Sequence, residues 1–275
     1  MYYVSGEILT ESGFKKGYLG FEKNKIVETG KGNPLKKPIC KGLIVPSFVN
    51  AHTHIGDSFI KIKNIDLPKN VEELVAPPNG LKHKLLREAS SKDIIEGMEK
   101  SIDIMRKNGT KYFCDFRENG KKGIDLLKTA LKNKKISCLI FSRPENLRYD
   151  KEEVEILLKE SDGVGISSIS DWDYSELKKL ALHIKQKKKF FAIHASECFR
   201  ENIDLVLDLK PDFLVHMVFA TESDFNRVSE EGIPIVVCLR SNAFFSLKPD
   251  VELMKKVGVE LLIGTDNAML NTPNI

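Results

Sequence analysis

The run Leu43-Ile44-Val45-Pro46-Ser47-Phe48-Val49-Asn50-Ala51-His52-Thr53-His54 decides the reading of the fold. Its apolar body has the character of a buried strand, and it ends in two histidines two residues apart. In a strand such residues share a face, so both imidazoles project from the strand's C-terminal end towards one point. Two ring nitrogens converging there suit a metal ion. Buried parallel strands that end in polar groups are how α/β folds build their sites.

Downstream of this run the pattern repeats. Apolar strand-like stretches follow as KYFCDF, ISCLIFS, GVGISSIS, FFAIHAS, FLVHMVF, PIVVCL and ELLIGTD. Between them lie segments with apolar residues at three- and four-residue spacing, such as DIIEGMEKSIDIMRKNG and YSELKKLALHIKQKKK. Eight strands alternating with seven helices predict an α/β fold of the (β/α)8 TIM-barrel type lacking its last helix. A doubly wound open sheet is the alternative, since strand order is not encoded in spacing; both architectures put sites at the strands' C-terminal ends. Upstream, residues 1–42 alternate short apolar pieces with turns at Asn24 and Gly30, a small antiparallel β element. The expected division is 1–42 and 43–275. Residues 55–91 form a long connection holding Pro68, Pro77, Pro78, Gly80 and His83, with Ala76 to Gly80 as a rigid turn over the barrel mouth.

Composition excludes several classes. The 275 residues are 41% hydrophobic and 30% charged with a net charge of +4, so there is apolar material for one large core and no basic footprint for nucleic acid. Nothing approaches the ~18 unbroken apolar residues of a membrane span, and the first residues lack a secretory pattern. Five cysteines without a C-x-x-C pair read as reduced residues of a cytoplasmic protein.

Four of the six histidines fall at or near predicted strand ends: His52, His54, His194 and His216. His194 and Asp266, in GTDN on the eighth strand, would complete a ligand set with His52 and His54. Three imidazoles and a carboxylate suit zinc, or iron or manganese, and leave a position for water. Glu197, in HASE just past the fifth strand, is placed for general acid–base work without binding the ion. His216 would either hydrogen-bond the attacking hydroxide or serve as a fifth ligand. Arg240, Ser241 and Asn242 after the seventh strand, with Asn79 and His83 in the long connection, could supply polar contacts to a substrate. Phe244 and Phe245 are stacking faces or core aromatics. His183 reads as a local helix residue.

These residues, in this order, resemble the amidohydrolase superfamily, and within it the deaminase-like branch of cytosine, guanine, adenosine and chlorotriazine hydrolases. The matching stretches are LIVPSFVNAHTH (43–54), FAIHASE (191–197), LVHM (214–217), CLRSN (238–242) and LLIGTDN (261–267). The resemblance implies His52, His54, His194 and Asp266 as metal ligands, Glu197 as proton shuttle and His216 as the group orienting the hydroxide, with Asp266 also activating water. It implies one divalent ion, because the fourth strand GVGISSIS has no lysine to bridge two. It also implies that residues 1–42 are part of a flanking β-sandwich. Two departures stand out: Pro46-Ser47-Phe48 replaces a common proline-glycine pair, and the chain stops nine residues after Asp266. An eighth helix and returning β-strands are therefore expected to be missing, leaving a strip of barrel core uncovered. The implied activity is deamination of a nucleobase, nucleoside or related heterocycle by metal-activated hydroxide, in a cytoplasmic enzyme that binds neither nucleic acid nor membrane and that associates as a homo-oligomer. The alternatives are hydrolysis of a cyclic amide or chlorotriazine, or a non-catalytic metal-binding relative.

Overall fold

The computed structural model describes residues 1–275 as two compact units, Met1–Ser47 and Phe48–Ile275. In the first, strands β1 (Tyr2–Thr10), β2 (Gly13–Glu22) and β3 (Lys25–Lys31) form an antiparallel meander, and β4 (Cys40–Ile44) pairs parallel to β1. The sequence run from Leu43 thus splits in two. Pro46 lacks the N–H that a ladder needs, and the barrel strand begins only at Phe48.

The second unit is a parallel barrel. Strand β5 (Phe48–His54) is followed by a 3-10 turn (Ile55–Lys63), α1 (Val71–Val75), α2 (Leu81–Glu88) and α3 (Ser91–Lys107). The long connection between the first two barrel strands is therefore largely helical. The chain then runs through β6 (Thr110–Arg117), α4 (Gly120–Leu131), β7 (Ser137–Ser142), α5 (Lys151–Glu160), β8 (Gly163–Ile166), α6 (Tyr174–Gln186) and β9 (Phe190–Ala195). It continues through α7 (Ile203–Asp208), β10 (Phe213–His216), α8 (Glu222–Glu230), β11 (Ile235–Val237), α9 (Leu239–Phe244) and α10 (Val251–Lys256). The eighth strand comes in two pieces, β12 (Leu261–Ile263) and β13 (Asp266–Asn267).

That split closes the sheet. Leu261 pairs with Ile235 of β11, whereas Asp266 and Asn267 pair with Thr53 and His54 of β5. Gly264 permits the step, because a Cβ there would lie 2.8 Å from the Cβ of His52. The resulting order, β12-β11-β10-β9-β8-β7-β6-β5-β13, is the expected barrel rather than an open doubly wound sheet. Ile263 on β12 is exposed. No helix is long and apolar enough to cross a membrane.

The helices form where the 3.6-residue pattern and caps agree. Helix α3 starts at Ser90, whose side chain accepts from Asp93 N, and buries Ile94, Met98, Ile102 and Met105 on one stripe. Inside the barrel, Ala51, Phe116, Phe141, Ala192, Val215, Val236 and Cys238 pack into a small apolar floor. Phe116 and Phe141 stack with centroids 4.9 Å apart, and Gly165 leaves room for Phe116, whose Cδ1 would meet a Cβ at 2.2 Å.

Candidate metal centre and cavity

The floor carries the site. The Phe116 ring meets His52 edge-on with centroids 4.3 Å apart, and above it the strand ends bring His52, His54, His194, His216, Glu197 and Asp266 together. Three subsets of these have ligand atoms within 4.8 Å of one another: His52 with His194 and His216, His52 with His54 and Asp266, and Glu197 with His216 and Asp266. Two of the residues sit in left-handed backbone, His216 with φ 75° and Asp266 with φ 59°. Such strain in non-glycine residues persists where the surroundings over-determine it, and it clusters at sites.

Hydrogen bonding sets which nitrogens face inward. His194 Nδ1 donates to the carbonyl of Ile166 at 2.7 Å, and His54 Nδ1 donates to Glu118 Oε1 at 2.8 Å. Both acceptors are oxygens without hydrogen, so in each neutral ring the proton sits on Nδ1 and Nε2 is a bare lone pair. Burial, the first cause, pushes the affinity of all four histidines for a second proton down, His54 to about 3. Asp266 is held in its charged form by His52, His216 and His54 despite its burial.

The bare Nε2 atoms of His194 and His54 face the same spot, occupied by His52 and Asp266. His52 Nε2 lies 3.2 Å from His194 Nε2 and 3.2 Å from Asp266 Oδ1, and His54 Nε2 lies 3.5 Å from the same oxygen. A tetrahedral ion with 2.0–2.1 Å bonds to nitrogen has ligand–ligand edges of about 3.3 Å. Electron-rich atoms with too few protons between them, at that spacing, fit a divalent cation. His52 differs in one respect: its Nδ1 is buried without a partner.

His216 presents a different face. Asn242 Nδ2 donates to His216 Nδ1 at 3.3 Å, which leaves the ring proton on Nε2, 3.5 Å from Glu197 Oε1. In this amide orientation His216 offers an N–H to the site rather than a lone pair. Glu197 is 16% exposed, and burial together with the nearby Asp266 charge raises its carboxyl to about 8.

The cavity above has a volume of about 360 Å³, within the roughly 300–1,000 Å³ of small-molecule sites. His54, His194, Glu197, His216 and Asp266 line it, with Val71, Val75, Pro77 and Phe199 as apolar wall and Asn79 and Lys82 as polar wall. Of the residues expected to touch a substrate, only Asn79 is in that wall. Arg240 turns outward and donates to the carbonyl of Thr272 at 3.1 Å, because helix α9 sends Ser241 and Asn242 inward and Arg240 to solvent. Asn242 stands behind His216, and Ser241 Oγ donates to Asp266 Oδ2. His83 is buried with Nε2 3.0 Å from the carbonyl of Val75, tying α2 to α1. Phe245 packs in the core, Phe244 carries Lys69 over its ring, and His183 on α6 bonds Tyr149 and, on α5, Glu155.

Sequence reasoning missed Lys82 and Glu118, and Ser241, expected to face a substrate, bonds Asp266 instead. The cluster Asp115-Phe116-Arg117-Glu118 at the end of an apolar strand was a legible signal for Glu118. Lys82, one of two lysines in LKHKLLRE, offered none.

The fold and the strand-end cluster define a barrel with a metal-type centre at its mouth. The amidohydrolase family model matches residues 43–275. The chain belongs to the amidohydrolase family, a family of hydrolytic enzymes. It is 40% identical to an uncharacterized protein of Methanocaldococcus jannaschii, over 98% of this chain and 72% of that protein. It is 36% identical to a putative aminohydrolase of Archaeoglobus fulgidus, over 85% of this chain and 66% of the relative. A 5-methylthioadenosine/S-adenosylhomocysteine deaminase of Caldicellulosiruptor saccharolyticus is 27% identical over 93% of this chain and 66% of its own length. The chain thus spans about two thirds to three quarters of these relatives. Among solved structures, guanine deaminase from C. acetobutylicum with bound guanine aligns with a TM-score of 0.77 at 15% identity, over 98% of this chain and 75% of that one. An adenosine deaminase from Xanthomonas campestris with bound zinc aligns at 0.76 and 16% identity, over 99% and 70%. At such identities these structures establish the fold.

Proposed function

We propose that this chain carries the active site of a metal-dependent aminohydrolase, which replaces an amino group on an sp2 carbon of a small heterocycle with water. The observation that carries the reading is Glu197: a cavity-lining carboxyl raised to about 8, beside His216 and the cluster of bare lone pairs. In this reading His52, His54, His194 and Asp266 hold one divalent cation, with zinc proposed. Bound there, the cation supplies Lewis-acid charge that makes water a usable nucleophile near neutral pH.

The chain's own residues do the rest. His216, backed by Asn242, directs its Nε2 proton into the site and orients the attacking oxygen. Glu197 delivers its proton to the ring nitrogen of the substrate, takes a proton from the added water oxygen and passes it to the departing amine, and the water's other proton, taken up by Asp266, restores the acid. A carboxyl at its ordinary value of 4.5 would be ionised at pH 7, whereas one near 8 is mostly in the acid form that donation requires. A bound cation would lower that value through its positive charge. The apolar wall of Val71, Val75, Pro77 and Phe199 suits the face of an aromatic ring. A chloride leaving group needs no proton, so Glu197 favours a nitrogen leaving group over chlorotriazine-type substitution. The names of the relatives, a putative aminohydrolase and a deaminase, point the same way. Five free cysteines fit a reducing, cytoplasmic setting.

The test is ammonia release on a panel of purines, pyrimidines and their nucleosides, paired with metal analysis. Glu197→Gln keeps the metal content and loses the roughly 10²–10⁴-fold that a positioned proton donor contributes. A fully active Glu197→Gln variant would sink the assignment.

A further inference from the structure

Behind the histidine cluster lies a buried ionic network that the proposed chemistry does not use. Glu118, one residue past β6, is 4% exposed. Its Oε1 accepts from His54 Nδ1 at 2.8 Å and from Lys82 Nζ at 2.7 Å, and its Oε2 accepts from Arg117 Nη2 at 3.1 Å. Lys82, on α2 and 3% exposed, also donates to Asn267 Oδ1 at 3.1 Å, next to Asp266 on β13. Arg117 Nε lies 2.5 Å from Asp115 Oδ2. The other oxygen of Asp115 accepts from Thr53 Oγ1 and Ile55 N, both at 2.8 Å, so it grips the residues on either side of His54.

Two carboxylates and two cations balance here, which is the condition for burying them at all. The arrangement has a consequence for the histidine. A neutral imidazole has one N–H, and a carboxylate at Nδ1 can only accept, so it fixes the proton on Nδ1. In the other tautomer Nε2–H would point at Asp266 Oδ1, 3.5 Å away, and the ring would hydrogen-bond that carboxylate instead of offering a lone pair.

We propose that Glu118 is a positioning residue that keeps His54 in the Nδ1–H tautomer and its Nε2 open to a cation, with Lys82 tying Glu118 to the eighth strand through Asn267. This rests on the reading of His54 as a metal ligand.

Ring nitrogen NMR of the metal-free protein, with the six histidines assigned by substitution, reads the tautomer directly. The expected wild-type state of His54 is protonated on Nδ1 and bare on Nε2. Zinc affinity, measured by chelator competition, is expected to fall about tenfold in Glu118→Gln and up to about 100-fold in Glu118→Ala, the range for lost outer-sphere partners of ligating histidines. The His54 signals shift in both variants while the melting temperature of Glu118→Gln stays near wild type, a pattern that a merely structural role would not produce. If Glu118→Ala does not fold, the near-isosteric Glu118→Gln carries the test. A wild-type His54 protonated on Nε2, or zinc binding by Glu118→Gln equal to wild type, overturns the proposal. Wild-type protein that takes up no zinc would remove the metal-site reading, and the tautomer measurement on metal-free protein would still decide the role of Glu118.

Discussion

Strand β9 puts Ala192 and His194 on one face, about 6.6 Å apart along the strand, yet they belong to two different materials. Ala192 lies in the apolar floor with Phe116, Phe141, Val215 and Val236, where packing satisfies every side chain. His194 lies in the mouth, where three ring nitrogens and a carboxylate crowd together and Ser196, His216, Met217 and Asp266 adopt left-handed backbone. The floor supplies stability through burial. The mouth holds strain and unshared lone pairs, which cost stability unless a cation joins them. One barrel therefore separates the two tasks by height along the same strands.

The separation breaks most visibly from above. Asp266→Asn keeps the shape of the side chain and a hydrogen-bonding oxygen for Ser241, and removes the one charge in the ligand set. Metal affinity should fall by more than the roughly 10–100-fold expected when an outer-sphere partner is lost, and turnover should go with it. The melting temperature of the metal-free protein should move little. Metal titration and thermal melts on the same sample check both; a large loss of melting temperature with metal affinity intact would mean that Asp266 belongs to the floor.

From below, Phe141→Ala should do the reverse. Phe141 is 1% exposed and stacked on Phe116, so truncation leaves a cavity and should cost about 3–5 kcal/mol of stability, read by denaturant unfolding. Metal stoichiometry of the folded fraction should remain. Loss of metal binding in folded protein would show that the floor sets the ligand geometry through Phe116 and His52 as well as supporting it.

Much of this division is legible in the sequence. Periodicity alone places the eight barrel strands, because a parallel strand buried on both faces reads as an apolar run. Position at strand ends singles out His52, His54, His194, His216, Glu197 and Asp266, which the fold does bring together. What does not read out are the backbone irregularities and the long-range pairs. The splitting of LIVPSFVNAH at Pro46 and of ELLIGTD at Gly264 depends on which neighbours each half meets. Arg240 and Asn242 look equivalent in CLRSN until helix α9 turns one outward and the other inward. The Lys82–Glu118 pair joins residues 36 positions apart, and no local pattern encodes such a contact.

The smallest effect sharpens the contrast through pH. Titratable side chains crowd the mouth, whereas the floor has only the thiols of Cys238 and, at its edge, Cys114, both pushed up by burial. Burial lowers His54 and His83 from 6.5 to about 3 in the folded protein. Between these values the unfolded chain binds more protons than the folded one, so their contribution is complete above pH 6.5 and is lost as pH falls towards 3. Glu197 has the opposite sign: raised from 4.5 to about 8, it contributes fully below pH 4.5 and loses that contribution as pH rises to 8. His83 is the cleaner probe, since it hydrogen-bonds Val75 outside the ligand cluster. In metal-free His83→Gln the stability-versus-pH curve between about pH 6.5 and 4 should flatten by one proton, about 1.4 kcal/mol per pH unit. Denaturant melts across that range read the slope directly, and an unchanged slope would show that His83 takes up its proton without unfolding, so that its contact between α2 and α1 opens in the folded protein.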